Sequence, residues 1–284
     1  MASCACCWQV FANMPNSDQP ANSGVRVGEN QWTIQRRVLG ALLLRELLTR
    51  YGRNNLGFLW LFVEPMLFVL VVTAFWTATR PLHGSSLPIV AFAVTGYSSL
   101  LLWRNIPGRC IGALKSNISL LYHRQVTISD VYFSRISLEV IGASTSFVVL
   151  SILFTLMRWM SAPEDILKVA FGWFFLAWFG AGLGLTVGGL AEKYEVIGRL
   201  WPPFSYLLFP LSGVAFIADA LPENIRNVVL WLPQLNALEL LREGWFGSLM
   251  RAHYDLGYLV VCNLILTFCG LSLTRQAGLD SREE

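Results

Sequence analysis

Charged residues are scarce in this chain. They make up 14% of its 284 residues, whereas a soluble domain carries roughly 25%, and hydrophobic residues make up 55%. A soluble protein of this length cannot hide so much apolar surface. The deficit of charge excludes an ordinary soluble domain and predicts an all-α polytopic membrane protein.

Lysine is rarer still, and its positions exclude one kind of site. A phosphate-binding loop needs Gly-Lys-Ser/Thr after a glycine-rich turn. The only lysines are Lys115, Lys168 and Lys193, which follow Leu, Leu and Glu. We therefore expect no ATP hydrolysis by that route and no cofactor on this chain.

Signatures of membrane enzymes are also missing. There is no Asp-x-Asp for a metal-dependent glycosyltransferase, and none of the histidines has a second histidine at ligand spacing. The cluster Cys4, Cys6 and Cys7 lacks a nearby histidine and makes a poor metal site; an accidental extension, with Met14 as the true start, is the simpler interpretation. We predict no catalytic residue, no metal site and no nucleic-acid partner.

Long apolar runs are present instead. At ~1.5 Å per residue, about 20 residues cross the ~30 Å hydrocarbon core of a bilayer. Two shorter apolar stretches within 221–250 are interrupted by charges, which favours short interfacial or re-entrant helices. The six predicted spans are 58–79, 88–106, 131–157, 169–190, 201–218 and 256–274.

The distribution of basic residues predicts the orientation. With the N-terminus in the cytosol, 15 of the 21 Lys and Arg residues lie in cytosolic segments, as the positive-inside rule requires. Both termini are then cytosolic, with 1–31 as a disordered extension, 32–276 as the membrane domain and 277–284 as a tail. Residues 1–30 lack the pattern of a cleavable signal, so we expect a multi-pass inner-membrane protein.

A basic helix precedes the first span. Leucines recur every four residues from Leu39, and such a helix is expected to lie in the cytosolic interface with its arginines at lipid phosphates. It acts either as an anchor or as a lever that guides an anionic lipid head. The arginines predicted to contact lipid heads are Arg45, Arg50 and Arg53.

Four blocks of sequence resemble one known family. Arg45, Arg50 and Tyr51, followed by LGFLW at 56–60 and Glu-Pro at 64–65, resemble the first segment of ABC-2 type permeases that export polysaccharides. The other blocks are RCIGALKSNISLLYHRQVTISD at 109–130, GAGLGLTVGGLAEKYEVIGRL at 180–200 and LPQLNALELLREGWF at 232–246. Together the resemblance covers about residues 32–276.

Two details are similar to the capsular polysaccharide branch. Glu-Pro at 64–65 stands where O-antigen and teichoic-acid permeases more often have Asn-Pro. The segment Tyr122-His123-Arg124-Gln125-Val126 is also similar to the capsule form. Alternatives are an ABC-2 exporter of another cargo (O-antigen, a teichoic-acid-like polymer or a drug) and, less favoured, a membrane enzyme acting on lipid-linked sugars or a channel.

The resemblance implies a half-permease that works as a homodimer. Each copy would bind a separate cytosolic ATPase subunit, which holds ATP and Mg. A lipid-linked polysaccharide would pass between the two copies, with periplasmic and outer-membrane export proteins as further partners.

The cytosolic stretch 107–130 is predicted to contact that ATPase. Its apolar residues at i, i+3, i+7 and i+10 would share one face of a helix, suited to a groove on a partner. The alternative is a helix lying on the membrane surface. The predicted coupling residues are Ile111, Leu114, Ile118 and Leu121.

Residues inside the spans are candidates for gating or for the substrate path. Glu64 is a charge within a span, which favours either a structural ion pair with a cytosolic arginine or a gating role. Aromatic faces suit the apolar faces of sugar rings, although most tryptophans are expected to anchor in the headgroups. The aromatic path candidates are Tyr97, Phe204, Tyr206 and Phe209.

Overall fold

The computed structural model describes residues 31–51, 55–78, 88–117 and 126–283, and within these ranges the chain forms α-helices and short 3-10 turns with no strand. Contacts between residues divide the chain into two units, 1–37 and 38–284. The contacts that form the sites lie in the second unit. The cysteine cluster lies outside the described residues. The helices are α1 Gln31–Tyr51, α2 Asn55–Ala78, α3 Ile89–Cys110, α4 Ile128–Leu156, α5 Ile166–Lys193, α6 Glu195–Leu207, α7 Glu223–Val229, α8 Pro233–Phe246 and α9 Leu256–Glu283.

Among the described residues, four helices are long and apolar enough to cross a membrane. They are α3, α4, α5 and α9, the last over 256–279. The predicted spans 88–106, 131–157, 169–190 and 256–274 are thereby confirmed as long apolar helices. Helix α2 covers nearly all of the predicted span 58–79 in 24 residues, and α9 continues through the residues predicted as a tail.

Local capping explains where two of these helices begin. The Thr127 hydroxyl accepts a hydrogen bond from the backbone N–H of Asp130, whose carboxylate accepts one from the Thr127 N–H, a reciprocal cap that starts α4. The Asp165 carboxylate accepts hydrogen bonds from the first N–H groups of α5. Both caps pair backbone donors that the helix itself leaves unpaired.

Helix α3 occupies the centre of the bundle, and every residue from 91 to 100 is buried. It packs against the small-residue face of α5. A Cβ atom added at Gly180 would lie 3.1 Å from the Cα atom of Trp103, and one at Gly188 would lie 3.1 Å from the carbonyl oxygen of Cys110. The glycines therefore permit close helix contact within the chain.

The bundle has two polar ends. One, which we call the basic end, brings the loop after α3 beside the junction of α5 and α6, where Lys115 lies 3.5 Å from Glu195. At the other, the far end, Asp219 contacts His253 and Lys168 contacts Glu243. The described segments that are predicted to be cytosolic thus share the basic end, and the described segments that are predicted to be external share the far end.

The fifth predicted span was wrong as a continuous helix. Helix α6 ends at Leu207, and residues 208–217 form turns and irregular backbone. The segment still runs from the basic end, at Glu195, to the far end, at Asp219. Beyond the turns at 208–212 its second half lacks regular backbone hydrogen bonds, and the remaining backbone groups must be satisfied from elsewhere in the protein.

The residues before the last span form two short helices, as the interrupting charges indicated. Helix α7 has 7 residues and is mostly exposed. Helix α8 has 14 residues, and nearly all of them are buried, including the charged Glu239 and Arg242. Helix α8 is therefore a core element at the far end and does not lie on a surface.

Candidate functional site

A network of charged side chains connects three helices at the basic end. Arg135 on α4 lies 3.3 Å from the Glu46 carboxylate on α1, and both side chains are largely buried. Arg135 also donates to the Ser116 hydroxyl (2.6 Å) and to the Arg109 carbonyl oxygen (2.9 Å). Arg109 in turn lies 3.1 Å from Glu139. One guanidinium thus joins α1, the end of α3 and the following loop.

The start of that loop is not the regular helix that its apolar spacing predicted. Helix α3 ends at Cys110, Ile111 has extended backbone angles, and Gly112 has φ +67. Turns follow, and then a 3-10 turn over Lys115–Asn117. Ile118 and Leu121 lie outside the described residues. The prediction of one helical face was therefore wrong over 111–117, because a left-handed glycine interrupts it.

The two predicted coupling residues that the structure describes face inward. Leu114 is 3% exposed, and its N–H donates to the Glu192 carboxylate over 3.0 Å. Ile111 is half-buried. Within the described part of this loop, residues 111–117, the exposed residues are Lys115 and Ser116, which the apolar pattern did not select.

The N-terminal helix contacts the same loop. Arg45 donates to the Asn117 side-chain oxygen over 3.0 Å, while the Asn117 amide group donates to the Ala113 carbonyl oxygen. Leu42 is buried, and Leu44 and Leu48 are exposed. Arg45 is thus occupied within the chain, whereas the Arg50 side chain and Arg53 lie outside the described residues.

Two of the predicted path aromatics lie together. The Tyr97 ring on α3 lies 6.0 Å from the Phe209 ring and 5.8 Å from the Phe68 ring on α2, measured between centroids. Tyr97 is buried, Phe209 is half-buried and Phe68 is exposed. Residues from three elements, of which Tyr97 and Phe209 are 112 positions apart in sequence, therefore form one aromatic cluster. The side chain of Glu64, also on α2, lies outside the described residues.

The other two path candidates are exposed on α6. The Tyr206 ring lies beneath the guanidinium of Arg104, 3.9 Å from Cζ to the ring centroid, and the Arg104 Nε also approaches the Ser205 hydroxyl at 3.4 Å. Phe204 packs on Trp201. Sequence reasoning counted Arg104 only as a cytosolic charge, and its pairing with Tyr206 carries no local signal.

A buried arginine supports the irregular backbone at the far end. Arg242 on α8 is fully buried and donates to the carbonyl oxygens of Gly213 (2.7 Å), Phe216 (2.8 Å) and Val214 (3.2 Å). Its guanidinium stacks on the Phe92 ring at 4.0 Å. These hydrogen bonds pair backbone carbonyl groups that the segment after α6 does not pair within a helix. They were not predicted from the sequence.

Glu239 fixes the same region one helical turn earlier. Its carboxylate accepts hydrogen bonds from the backbone N–H groups of Ala218 and His253. The His253 ring contacts Asp219 at 3.0 Å. That hydrogen bond, with smaller contributions from nearby arginines, lowers the pKa of the Asp219 carboxyl below its ordinary value.

Among the described residues, no group of three or more His, Cys, Asp or Glu side chains is placed to hold a metal ion. The profile of ABC-2 type transporters matches residues 37–246, which contain the basic-end network, the aromatic cluster and the Arg242 cluster. The chain belongs to the ABC-2 type transporter family.

Individual ABC-2 relatives match across most of the chain. It is 42% identical over 240 residues to the capsule polysaccharide export inner-membrane protein CtrC of Neisseria meningitidis serogroup A, covering 84% of this chain and 91% of the relative. It is 40% identical to BexB of Haemophilus influenzae, a protein of the same description, with 85% and 91% covered. The polysialic acid transport protein KpsM of Escherichia coli is 27% identical, with 85% and 94% covered.

Proposed function

We propose that this ABC-2 chain is the membrane subunit of an ATP-driven transporter that exports a lipid-linked capsular polysaccharide across the inner membrane. The carrying observation is the similarity to capsule polysaccharide export inner-membrane proteins, at 40–42% identity over 84–85% of the chain. No other cargo has comparable support from the sequence.

The assembly in this proposal is a homodimer with two separate ATPase subunits. Two observations support separate ATPase subunits. The chain belongs to the ABC-2 family, and it contains no Gly-Lys pair for a phosphate-binding loop. The aromatic cluster of Phe68, Tyr97 and Phe209 and the Arg104–Tyr206 pair would border the glycan path. Periplasmic and outer-membrane export proteins would receive the polymer.

In the proposed topology the chain crosses the membrane six times with both termini in the cytosol. The grouping of segments at the two ends supports it, since residues 109–117 and 192–199 share one end. The fifth crossing is α6 followed by the segment that Arg242 supports. The basic end is then cytosolic and carries the loop that contacts the ATPase.

Coupling in this proposal uses the exposed surface of that loop, with Leu114 as its internal support. Substituting Leu114 by Asp would place an unpaired charge inside this chain and lower its membrane level. Loss of ATPase binding in that variant would therefore not test the contact. Lys115 and Ser116 are the residues through which to test it.

Export is tested by complementation. A capsulated strain from which the gene for this chain has been deleted is expected to retain its polymer inside the cell, and the wild-type gene should return it to the surface. Surface and internal glycan are measured with a polymer-specific antibody before and after permeabilisation. Normal surface polymer in the deletion strain would refute the proposed cargo.

Orientation and coupling are tested together with single cysteines in a cysteine-free background. Cysteine at Ser116 should react with an impermeant maleimide only after permeabilisation, and a benzophenone attached there should cross-link to the ATPase. Cysteine at exposed Asn224 should react from outside and give no such adduct. Reversed labelling would overturn the topology, and equal cross-linking at both sites would overturn the coupling assignment.

A further inference from the structure

The far end carries a surface pocket that none of the features above uses. It has a volume of about 500 Å³ and lies between α7, the start of α8 and the start of α9. That volume falls within the ~300–1,000 Å³ typical of ligand sites. In the proposed topology the pocket opens on the external side of the membrane, where a polymer would leave the transporter.

An exposed tryptophan forms one wall of the pocket. Trp231 is 74% exposed, and its ring meets the Tyr258 ring edge-on at 6.2 Å between centroids. An exposed indole is a flat apolar face that suits the C–H face of a pyranose ring. Aromatic walls of this type bind sugars without charge.

The backbone beneath that indole is held by side chains from two helices. The Asn236 amide group donates to the carbonyl oxygens of Leu230 (2.7 Å) and Leu232 (3.2 Å). The Tyr258 hydroxyl donates to the Trp231 carbonyl oxygen over 2.6 Å. The backbone carbonyl groups of Trp231 and of its two neighbours in sequence are thus fixed. A tryptophan that only inserts among lipid headgroups needs no such support, whereas a ligand platform gains from it.

Polar groups also line the pocket. Asp255 is exposed, and its Oδ1 accepts from the Tyr258 N–H at 3.0 Å. Asn227 is exposed on α7, and His253 is half-buried. These side chains present carboxylate, amide and imidazole groups, which accept from and donate to hydroxyl groups. Polar groups beside an aromatic platform are the two elements that a sugar ring requires.

The charge of the pocket selects among sugars. Asp255 contributes a carboxylate, and no Lys or Arg belongs to the described lining residues. The flanking Arg226 and Arg251 act on Asp219, so Asp255 is the charge that an acidic sugar would meet among the described lining residues. The chemistry therefore favours a neutral hexose or N-acetylhexosamine unit.

We propose that this pocket is a carbohydrate-binding subsite that holds a neutral sugar unit of the emerging polymer against Trp231. Its role in transport rests on the proposed function. The subsite holds the exported polymer on the external side between cycles of ATP hydrolysis, and so opposes movement of the polymer back across the membrane. Binding itself requires neither the ATPase nor export.

The test uses the purified full chain in lipid nanodiscs and saturation-transfer difference NMR. The neutral compounds are maltotetraose and chitotetraose, and the acidic comparison is tetragalacturonic acid. At least one neutral compound should bind, more strongly than the acidic one. Trp231→Ala should weaken binding about tenfold or more, as loss of a central aromatic contact does, and Trp231→Phe should retain most of it.

Trp159→Ala is the matched control, because Trp159 is also exposed (61%) but lies outside the pocket. Its binding should equal that of the wild type. Asn227→Ala serves as a second pocket variant on an exposed position, in case Trp231→Ala accumulates poorly. Unchanged binding in the pocket variants, absence of neutral-sugar binding in the wild type, or preference for the acidic compound would each overturn the proposal.

Export by intact cells is measured in parallel. A wild-type chain that exports polymer but binds no neutral sugar eliminates the subsite and leaves the proposed function in place. A chain that binds sugar through Trp231 but is dispensable for export eliminates the proposed function instead.

Discussion

Arg135 at the basic end and Arg242 at the far end form different kinds of contact. At the basic end, ion pairs join side chains on separate elements, such as Glu46 with Arg135 and Lys115 with Glu195. At the far end, fully buried Arg242 donates to three backbone carbonyls of one segment. The first arrangement connects elements, and the second determines the shape of a single segment.

This difference suggests different mechanical roles. A side chain that bonds backbone carbonyls fixes local conformation, because moving it leaves buried acceptors unpaired. Ion pairs between helices can exchange partners when the helices shift, particularly where they are half-exposed. We therefore expect ATP-driven movement to enter at the basic end and the Arg242 segment to move as a rigid piece.

The largest expected effect comes from removing the hydrogen bonds that Arg242 donates to the segment after α6. Arg242→Met leaves three carbonyls without their donor and Glu239 without its nearby cation. Removing one partner of a buried charge pair typically costs about 3–5 kcal/mol. The variant should show a low membrane level and a lower melting midpoint in detergent.

Two comparisons make that prediction specific. Arg242→Lys should lie between the wild type and Arg242→Met, because an ammonium keeps the charge but cannot reproduce the fork of a guanidinium. Arg226→Met removes a cation that is 3.9 Å from Asp219 and should change the midpoint little. A melting midpoint for Arg242→Met equal to that of the wild type would show that the segment after α6 does not depend on the hydrogen bonds from Arg242.

A smaller effect is expected at the basic end. Arg135→Gln removes the cation that Glu46, Ser116 and the Arg109 carbonyl share. Hydrogen bonds to charged groups contribute roughly 1.5–3 kcal/mol, so the chain should still assemble. Export per molecule in the membrane should fall further than the melting midpoint, because α1 and the loop lose their connection.

Lys115→Gln is the matched control at the same end. The Lys115–Glu195 pair is 59% and 66% exposed, and surface pairs contribute about 0–1 kcal/mol. Stability should remain near that of the wild type. If Arg135→Gln lowered stability and export in equal proportion, the network would support the fold only and would have no part in coupling.

The smallest effect concerns pH at the far end. Because the folded pKa of Asp219 is lowered, its stabilisation is complete above the unfolded pKa of about 3.9 and is lost as pH falls through the folded value. Melting midpoints taken from pH 7 downward should decline below about pH 4, and less steeply in Asp219→Asn. Identical slopes for both proteins would assign the decline to other carboxyl groups.

Hydropathy predicted the parts of the fold that are continuous helices. Three of the long apolar helices lie within about four residues of their predicted bounds, and α9 begins at its predicted residue but continues past its predicted end, since length and low charge suffice to find them. Interrupting charges also predicted the short helices α7 and α8. Gly180, Gly184 and Gly188 recur every four residues, a spacing that is typical of a close-packing helix face.

The failures arise where a distant residue decides the local structure. Residues 201–218 are uncharged and read as a span, but Arg242, more than 25 residues later, allows the backbone to leave the helix. At 111–121 the apolar spacing suited a helix, and Gly112 interrupts it. Sequence periodicity shows which residues are apolar, but it does not show which side chain donates a hydrogen bond to a given backbone carbonyl.

The distance along the chain between Arg242 and its carbonyl partners also constrains biosynthesis. The three acceptors precede their donor by 26–29 residues. In the proposed topology, the donor for this backbone has not yet been made when the ribosome completes Phe216. We therefore expect the fifth crossing and α8 to be integrated as a pair, and a nascent chain stopped before Arg242 should leave the fifth crossing at the insertion machinery.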